Sequence, residues 1–204
     1  MVDRTFIDEL ASKAPTPGGG GASAYCGALA AALSSMVCNL TLGKKAYEAV
    51  EAEVSAAAVQ LDALRTRLLE LVDEDARAFA PLASAYGMPK ETPQEQEAKE
   101  TALQQALIAA CEVPLEIMRT CAQVIDLAGV LAEKGSRLAL SDAGVSVLFA
   151  KAALQGASLN VLINCASMKD RTRAEAYLEE VEDLIEAYAK RADQTYETVV
   201  KELV

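Results

Sequence analysis

The chain contains no histidine and no tryptophan, and only 4% of its residues are aromatic. The missing histidine removes Ser-His-Asp and Cys-His catalysis and the commonest ligand of catalytic zinc. Any proton transfer must therefore fall to Asp, Glu, Lys, Tyr or bound water. The scarcity of aromatics, in a chain that is 52% hydrophobic, leaves alanine and leucine to supply the apolar share. That argues for helices packed closely through small side chains and against a β-sandwich. Basic residues are also few. Nineteen Lys and Arg face thirty Asp and Glu, for a net charge of −11. Nucleic acid and anionic membrane surfaces are thereby excluded as main partners, and an anionic small ligand would need a locally basic pocket. The five cysteines are odd in number, form no CxxC and sit in apolar helical runs. They read as buried, reduced thiols of a cytoplasmic protein. No signal peptide is expected, because Asp3, Arg4, Asp8 and Glu9 interrupt any apolar core at the N-terminus.

What is present is one glycine-rich stretch feeding a long apolar run. Pro15 and Pro17 fix the backbone that enters Gly18-Gly19-Gly20-Gly21. Four glycines permit positive φ and close approach of a ligand to the main chain. The helix that follows, read as Ala22 to Leu42, would collect unpaired N–H groups and its positive dipole end at this turn. A carboxylate or phosphate suits such a place. The alternative is a plain inter-helix turn that is merely rich in glycine. Neither nucleotide fingerprint is met: no Gly-Lys-Ser/Thr closes the loop, and Arg4 to Lys13 reads as a short helix where a dinucleotide fold needs a strand. Tyr25 to Leu42 is apolar enough to raise the question of a membrane span, but Ser34, Ser35 and Asn39 favour a buried bundle helix. Its small residues Ala24, Ala28, Ala31 and Ser35 recur at helical spacing and invite a closely packed neighbour. Gly43 suits the C-terminal cap, and Lys44 and Lys45 complement the dipole there.

A second long helix is predicted from Tyr47 to Tyr86. Its stripe Val54, Ala57, Leu61, Leu64, Leu68, Leu71 continues by fours to Asp75 and Phe79, so a carboxylate falls on the apolar face. Such a group either pairs with a buried cation or is tuned for proton transfer. Asp73 points away, toward water or an interface. Lys90 follows in a short constrained loop. Thr92-Pro93-Gln94-Glu95 opens the next helix with a capping box, and that helix runs to Lys134. Pro81 and Pro114 are candidate bends. A fourth long helix, Ala143 to Met168, would be entered at Ser141-Asp142 as N-cap. It carries two polar rows, Lys151-Gln155-Ser158 and Asn160-Asn164-Ser167, each needing a partner. The last helix starts at Asp170 or Thr172 and ends near Leu203, with Glu179, Glu180, Glu182 and Asp183 as a solvated face. No strand-period segment, repeat or linker is visible. The expectation is one all-α domain, residues 1–204, a bundle of long antiparallel helices.

Leu10-Ala11-Ser12, Pro15-Thr16-Pro17-Gly18-Gly19-Gly20, Gly27-Ala28-Leu29 and Gly43-Lys44-Lys45 occur in one order along the chain. Asp73-x-Asp75-Ala76-x-Ala78-Phe79, Pro89-Lys90, Val113-Pro114-Leu115, Ser141-Asp142 and Asn160-Val161-x-Ile163-Asn164 follow. Together they resemble the cyclodeaminase/cyclohydrolase family of folate enzymes. That family includes the cyclodeaminase domain of formiminotransferase-cyclodeaminase and stand-alone bacterial methenyltetrahydrofolate cyclohydrolases. Where the family often has Asn after the glycine at 135, this chain has Ser136. The resemblance implies an all-helical homodimer acting on the one-carbon unit between N5 and N10 of tetrahydrofolate, with no metal and no redox cofactor. Carried onto this sequence, it makes Asp75 the acid/base or cation stabiliser and Asp142 a second carboxylate. Lys90 and Lys151 would tune these carboxylates or shuttle protons. Pro17, Gly18, Gly19, Gly20, Ser23 and Asn164 would hold the folate, and Lys44 or Lys45 its glutamate tail. Without an attached formiminotransferase domain, hydrolysis of methenyltetrahydrofolate is expected ahead of ammonia release from formiminotetrahydrofolate. A non-catalytic folate-binding or scaffold oligomer is the alternative from another class.

Overall fold

The computed structural model describes residues 4–204; Asp3 lies outside the described residues. Six α-helices follow one another: α1 (Arg4–Leu10), α2 (Gly19–Thr41), α3 (Glu51–Tyr86), α4 (Pro93–Lys134), α5 (Leu140–Ala166) and α6 (Arg171–Leu203). Among the described residues there is no strand. The expected all-α bundle is what forms, with element ends close to those read from the sequence.

Cross-helix contacts give the directions. Gly27 abuts Leu68, and Gly20 abuts Asp75, so α2 and α3 are antiparallel. Ser23 faces Gly156 while Thr41 accepts the Ser136 N–H at 2.8 Å, so α2 and α5 are antiparallel too. Ala110 pairs with Asn164, and Lys134 of α4 reaches Glu53 of α3. The last helix runs parallel to α4: Glu112–Tyr177, Arg119–Glu180 and Asp126–Arg191 step along both. Glu180 is thus bound by a guanidinium, where the sequence suggested only solvated surface.

The small residues do what their spacing predicted. Ala24, Ala28 and Ala31 are fully or nearly buried, whereas Ser35 is half-buried and donates to the Ala31 carbonyl of its own helix at 2.9 Å; it is the neighbouring Ser34 that shares a hydrogen bond of 2.8 Å with Ser146 across the α2–α5 seam. At Gly27 a Cβ would lie 2.8 Å from Cys121 Sγ, so any side chain there would push α2 off its neighbours. Thr92 and Glu95 form the reciprocal capping box. Pro81 and Pro114 lie inside unbroken helices. Asp170, not Thr172, caps α6.

Four boundaries differ: α1 ends at Leu10 and not Lys13, α2 begins at Gly19 and not Ala22, and the starts of α3 and α5 also move. Lys45–Val50 is a 3-10 turn, and α3 proper begins at Glu51. Gly43 reverses the chain at φ 72°, and Glu51 reaches back to accept its N–H at 3.2 Å. At the start of α5, a 3-10 turn (Arg137–Ala139) leads in and Ala139 is the cap residue, without a side-chain bond. Ser141 and Asp142 are therefore not the N-cap. They lie inside the first turn, where Asp142 still complements the dipole.

Helices α2 and the segment through α5 are long and apolar enough to cross a membrane. Both pack on each other and on α4, which buries 56% of the α2 stretch and 44% of the α5 stretch and leaves an apolar outer face on each.

Candidate active site

The glycine turn and the buried carboxylate meet. Gly18 is the extended residue before α2, with φ −121° and ψ −161°, and Gly19, Gly20 and Gly21 form its first turn. None of the four has positive φ. The glycines are thus not required by backbone handedness, as the sequence had suggested; clearance is the reason at one of them. A Cβ on Gly20 would sit 2.1 Å from Asp75 Oδ1 and 2.5 Å from Cγ. Removing that methyl lets the carboxylate lie against the helix N-terminus, where Gly21 N–H donates to Oδ2 at 2.8 Å.

Asp75 is half-buried and has no cationic partner among the described residues. Burial raises its carboxyl above the ordinary value, and the Gly21 N–H partly opposes this by favouring the ionised form. The stripe that ran through Leu71, Asp75 and Phe79 therefore placed the carboxylate correctly, and Asp73 is exposed as expected.

A cleft of about 280 Å³ opens over Asp75. Its floor is the glycine turn with Pro15 and Thr16; Ala78 and Phe79 of α3 flank the carboxylate. Ala110 and Pro114 of α4 and Asn160, Ile163 and Asn164 of α5 complete the lining. Asn164 donates to the Ala110 carbonyl at 2.7 Å and Asn160 to the Gly156 carbonyl at 3.1 Å. Each amide thus spends an N–H on the backbone and keeps its oxygen as an acceptor. The lining carries one carboxylate, two carboxamides, the Thr16 hydroxyl and apolar surface, but no Lys or Arg. Such a setting favours a cationic or proton-donating ligand at Asp75.

The remaining sequence candidates are elsewhere in the chain. Ser23 is buried within α2, its hydroxyl donating to the Gly19 carbonyl one turn back in the same helix at 2.7 Å, and it does not line the cleft. Pro17 follows a cis peptide bond and packs on Gly21. Lys90 lies in the exposed α3–α4 loop, its carbonyl held by Gln96. Lys151 pairs with Asp193 of α6 at 2.6 Å. Lys44 and Lys45 lie at the opposite end of the bundle, beyond the C-terminus of α2, and Asp142 lies toward that same end in the first turn of α5. Asn160, Phe79 and Pro114 belong to the cleft but were not singled out as site residues. The i, i+4 row Asn160-Asn164 was the available signal, since two amides on an apolar helix need partners.

A larger cleft of about 430 Å³ lies near Glu100, Gln104, Lys169 and Arg173. Its polar groups pair among themselves, Lys169 with Glu100 and Gln104 with Ser167 and Lys169, which leaves little to recognise a ligand.

Residues 3–183 match the formiminotransferase-cyclodeaminase family. The chain is 48% identical over 195 residues to methenyltetrahydrofolate cyclohydrolase of Methylorubrum extorquens, covering 96% of this chain and 94% of that protein. It is 36% identical over 167 residues to formimidoyltransferase-cyclodeaminase of Rattus norvegicus, but spans only 31% of that longer protein. Its fold superposes on the crystal structure of formiminotetrahydrofolate cyclodeaminase from Thermotoga maritima with a TM-score of 0.84 at 32% identity. That match covers 100% of this chain and 96% of the other.

Proposed function

The chain belongs to the formiminotransferase-cyclodeaminase family, and on that premise we propose that it is a methenyltetrahydrofolate cyclohydrolase with Asp75 as its proton-transfer group. The observation that carries this reading is a half-buried carboxylate, held by one backbone N–H, in a cleft whose lining carries no cation. Methenyltetrahydrofolate is itself a cation, its charge spread over N5, the bridging carbon and N10. A carboxylate beside that carbon stabilises it and accepts a proton from the water that attacks it. The water oxygen bonds to the methenyl carbon, and its first proton passes to Asp75. The carbon–N5 bond then breaks, N5 keeps the electron pair and takes the proton from Asp75. The second proton leaves as the carbonyl forms, which gives the N10-formyl product and one released proton. The carbon is already electrophilic, so we assign no metal and no redox cofactor to the step.

Asn160 and Asn164 offer acceptor oxygens to the N–H groups of the pterin ring, and Gly18, Gly19 and Gly20 leave room for it against the main chain. The likeness to a cyclohydrolase at 48% identity supports hydrolysis over ammonia release, since the cyclodeaminase from Thermotoga maritima, matched over the same length, shares only 32%. We place the protein in the cytoplasm, in keeping with five free cysteines, four of them buried. We also propose that it acts as a homodimer, paired through the outer faces of α2 and α5. Leu29, Met36 and Leu40 of the first and Val145, Leu148 and Leu159 of the second are exposed along those faces.

The test is the loss of methenyltetrahydrofolate absorbance, corrected for spontaneous hydrolysis, beside ammonia release from formiminotetrahydrofolate. Faster loss of methenyl with no ammonia is expected, reduced about 10²–10⁴-fold in Asp75→Asn, the usual worth of a positioned acid/base group. Ammonia release with accumulation of methenyl would make it a cyclodeaminase instead, and silence in both would leave a folate-binding scaffold.

A further inference from the structure

Pro114 lines the Asp75 cleft from inside α4, and a proline has no N–H to give its helix. The N–H of any other residue at this position would bond the carbonyl one turn back, that of Ala110, and the proline ring crowds that carbonyl as well. Ala110 is therefore left with a carbonyl that its own helix does not serve. Pro81 does the same to the Arg77 carbonyl of α3, but Pro81 and Arg77 are exposed, so solvent serves it. Pro114 and Ala110 are buried, and an unserved carbonyl is costly there. The partner comes from another helix. Asn164 of α5 donates to the Ala110 carbonyl at 2.7 Å, the short end of the N–H···O range.

That bond decides which way the amide faces. A carbonyl is met only by the NH2 end of a carboxamide, so the oxygen of Asn164 is the end left for the cleft. The backbone beneath it is held too. Asn164 stands in the last turn of α5, and just beyond it the Arg171 guanidinium donates to the Cys165 carbonyl at 3.1 Å and to the Met168 carbonyl at 3.3 Å. The other amide of the cleft is secured less firmly. Asn160 donates at 3.1 Å to the Gly156 carbonyl of its own helix, which a helical N–H already serves. Asn160 shares its acceptor, whereas Asn164 has one released for it by a proline of the facing helix. A reversed Asn164 would put a donor where the ligand brings its own.

We propose that Pro114 is a positioning residue for the folate: by freeing the Ala110 carbonyl it locks the Asn164 amide with its oxygen toward the cleft, where that oxygen accepts an N–H of the pterin ring. Helix propensity alone disfavours proline at this position, so returning an N–H there does not by itself harm the fold. The inference rests on the folate reading of the cleft, and its test has an arm that needs no activity.

Two variants separate the missing N–H from the bulk of the ring. Pro114→Val keeps most of the volume at the cleft wall and returns an N–H to the Ala110 carbonyl; Pro114→Ala returns the N–H without the volume. In the first arm, protein isotope-labelled at asparagine nitrogen is observed by NMR. The chain has three asparagines, Asn39, Asn160 and Asn164, so three side-chain NH2 pairs appear, and Asn164→Ala identifies the one under test. In the wild type the Asn164 NH2 should exchange with water more slowly than that of exposed Asn39. In Pro114→Val its exchange should quicken about three- to tenfold, the worth of one hydrogen bond. In the second arm, KM for methenyltetrahydrofolate should rise by a like factor in both variants, with kcat within about twofold, because this bond is made to substrate and transition state alike. In an Asn164→Ala background either substitution should change KM by less than about twofold. Unchanged NH2 exchange in Pro114→Val would overturn the proposal, as would an unchanged KM. A KM effect that persists without Asn164 would overturn it too, since the ring would then act on the ligand directly. If the wild type turned over no folate, the exchange arm would still decide whether Pro114 holds Asn164, and only the ligand assigned to that oxygen would fall.

Discussion

Replacing each glycine of the turn by alanine in separate proteins separates two reasons for their presence. At Gly20 the added methyl would lie 2.1 Å from Asp75 Oδ1 and 2.7 Å from Oδ2. The carboxylate must swing away, which breaks its 2.8 Å bond to the Gly21 N–H. Overpacking costs about 1–3 kcal/mol, and a hydrogen bond to a charged group contributes about 1.5–3 kcal/mol. Helix propensity returns less than about 1 kcal/mol in a first turn. A net loss of about 2 kcal/mol is expected, near 4–8 °C in Tm for a chain of this size. Turnover should fall much further, because the acid/base group is displaced. At Gly19 the nearest atoms are the Asn160 amide at 3.6 Å, and at Gly18 nothing lies within 4 Å. Gly18→Ala and Gly19→Ala should therefore stay within about 0.5 kcal/mol of wild type, and any damage should appear in KM as a methyl protruding toward ligand. Thermal unfolding and steady-state kinetics on the three proteins make the test. A Gly20→Ala protein as stable and active as wild type would refute the clearance argument. A Gly19→Ala protein destabilised as much as Gly20→Ala would do the same.

The carboxylate itself predicts a pH dependence. Burial holds the Asp75 carboxyl above its ordinary 3.8, so activity should fall as pH drops through that raised value, and the acid limb of kcat should lie above the range of an exposed aspartate. The sign for stability is opposite. A group whose proton is bound more tightly when folded costs stability once ionised, so Asp75→Asn, whose amide oxygen still accepts the Gly21 N–H, should unfold at or slightly above the wild-type Tm at neutral pH. Asn164→Ala removes the 2.7 Å bond to the Ala110 carbonyl and should cost about 1 kcal/mol by denaturant titration, with a lower kcat/KM. Lys151→Ala breaks a partly exposed pair with Asp193. It should cost under about 1 kcal/mol and leave turnover unchanged, since the side chain does not line the cleft; a large loss of kcat would bring Lys151 back into the chemistry.

Much of the fold was legible because its signals are local. The Thr92–Glu95 capping box, the glycine after Thr41 and the proline at the start of α4 act within a turn of where they stand. The alanine and glycine faces of α2 act through close approach, and spacing alone displays them. The boundaries that moved depend on distant partners. Ser141-Asp142 carries ordinary capping residues, but the chain already turns at Arg137, where its N–H donates to the Tyr47 hydroxyl from the far side of the α2–α3 turn. Likewise Glu180 sits in an acidic run, and only the parallel register of α4 and α6 gives it Arg119.

The site divides along the same line. Helical spacing fixes an angle around an axis, and for Asp75 the angle was enough: a carboxylate on the buried stripe of α3 had to meet whatever α3 packs against. Spacing does not fix which ends of which helices meet. Once α2 and α3 are antiparallel, the glycine turn is forced beside Asp75 and Gly43-Lys44-Lys45 is forced away from it. An enzyme that must bind a cationic ring and an anionic tail in one molecule gains from that separation. A lysine beside Asp75 would form an ion pair with it, lower its pKa and repel the methenyl cation.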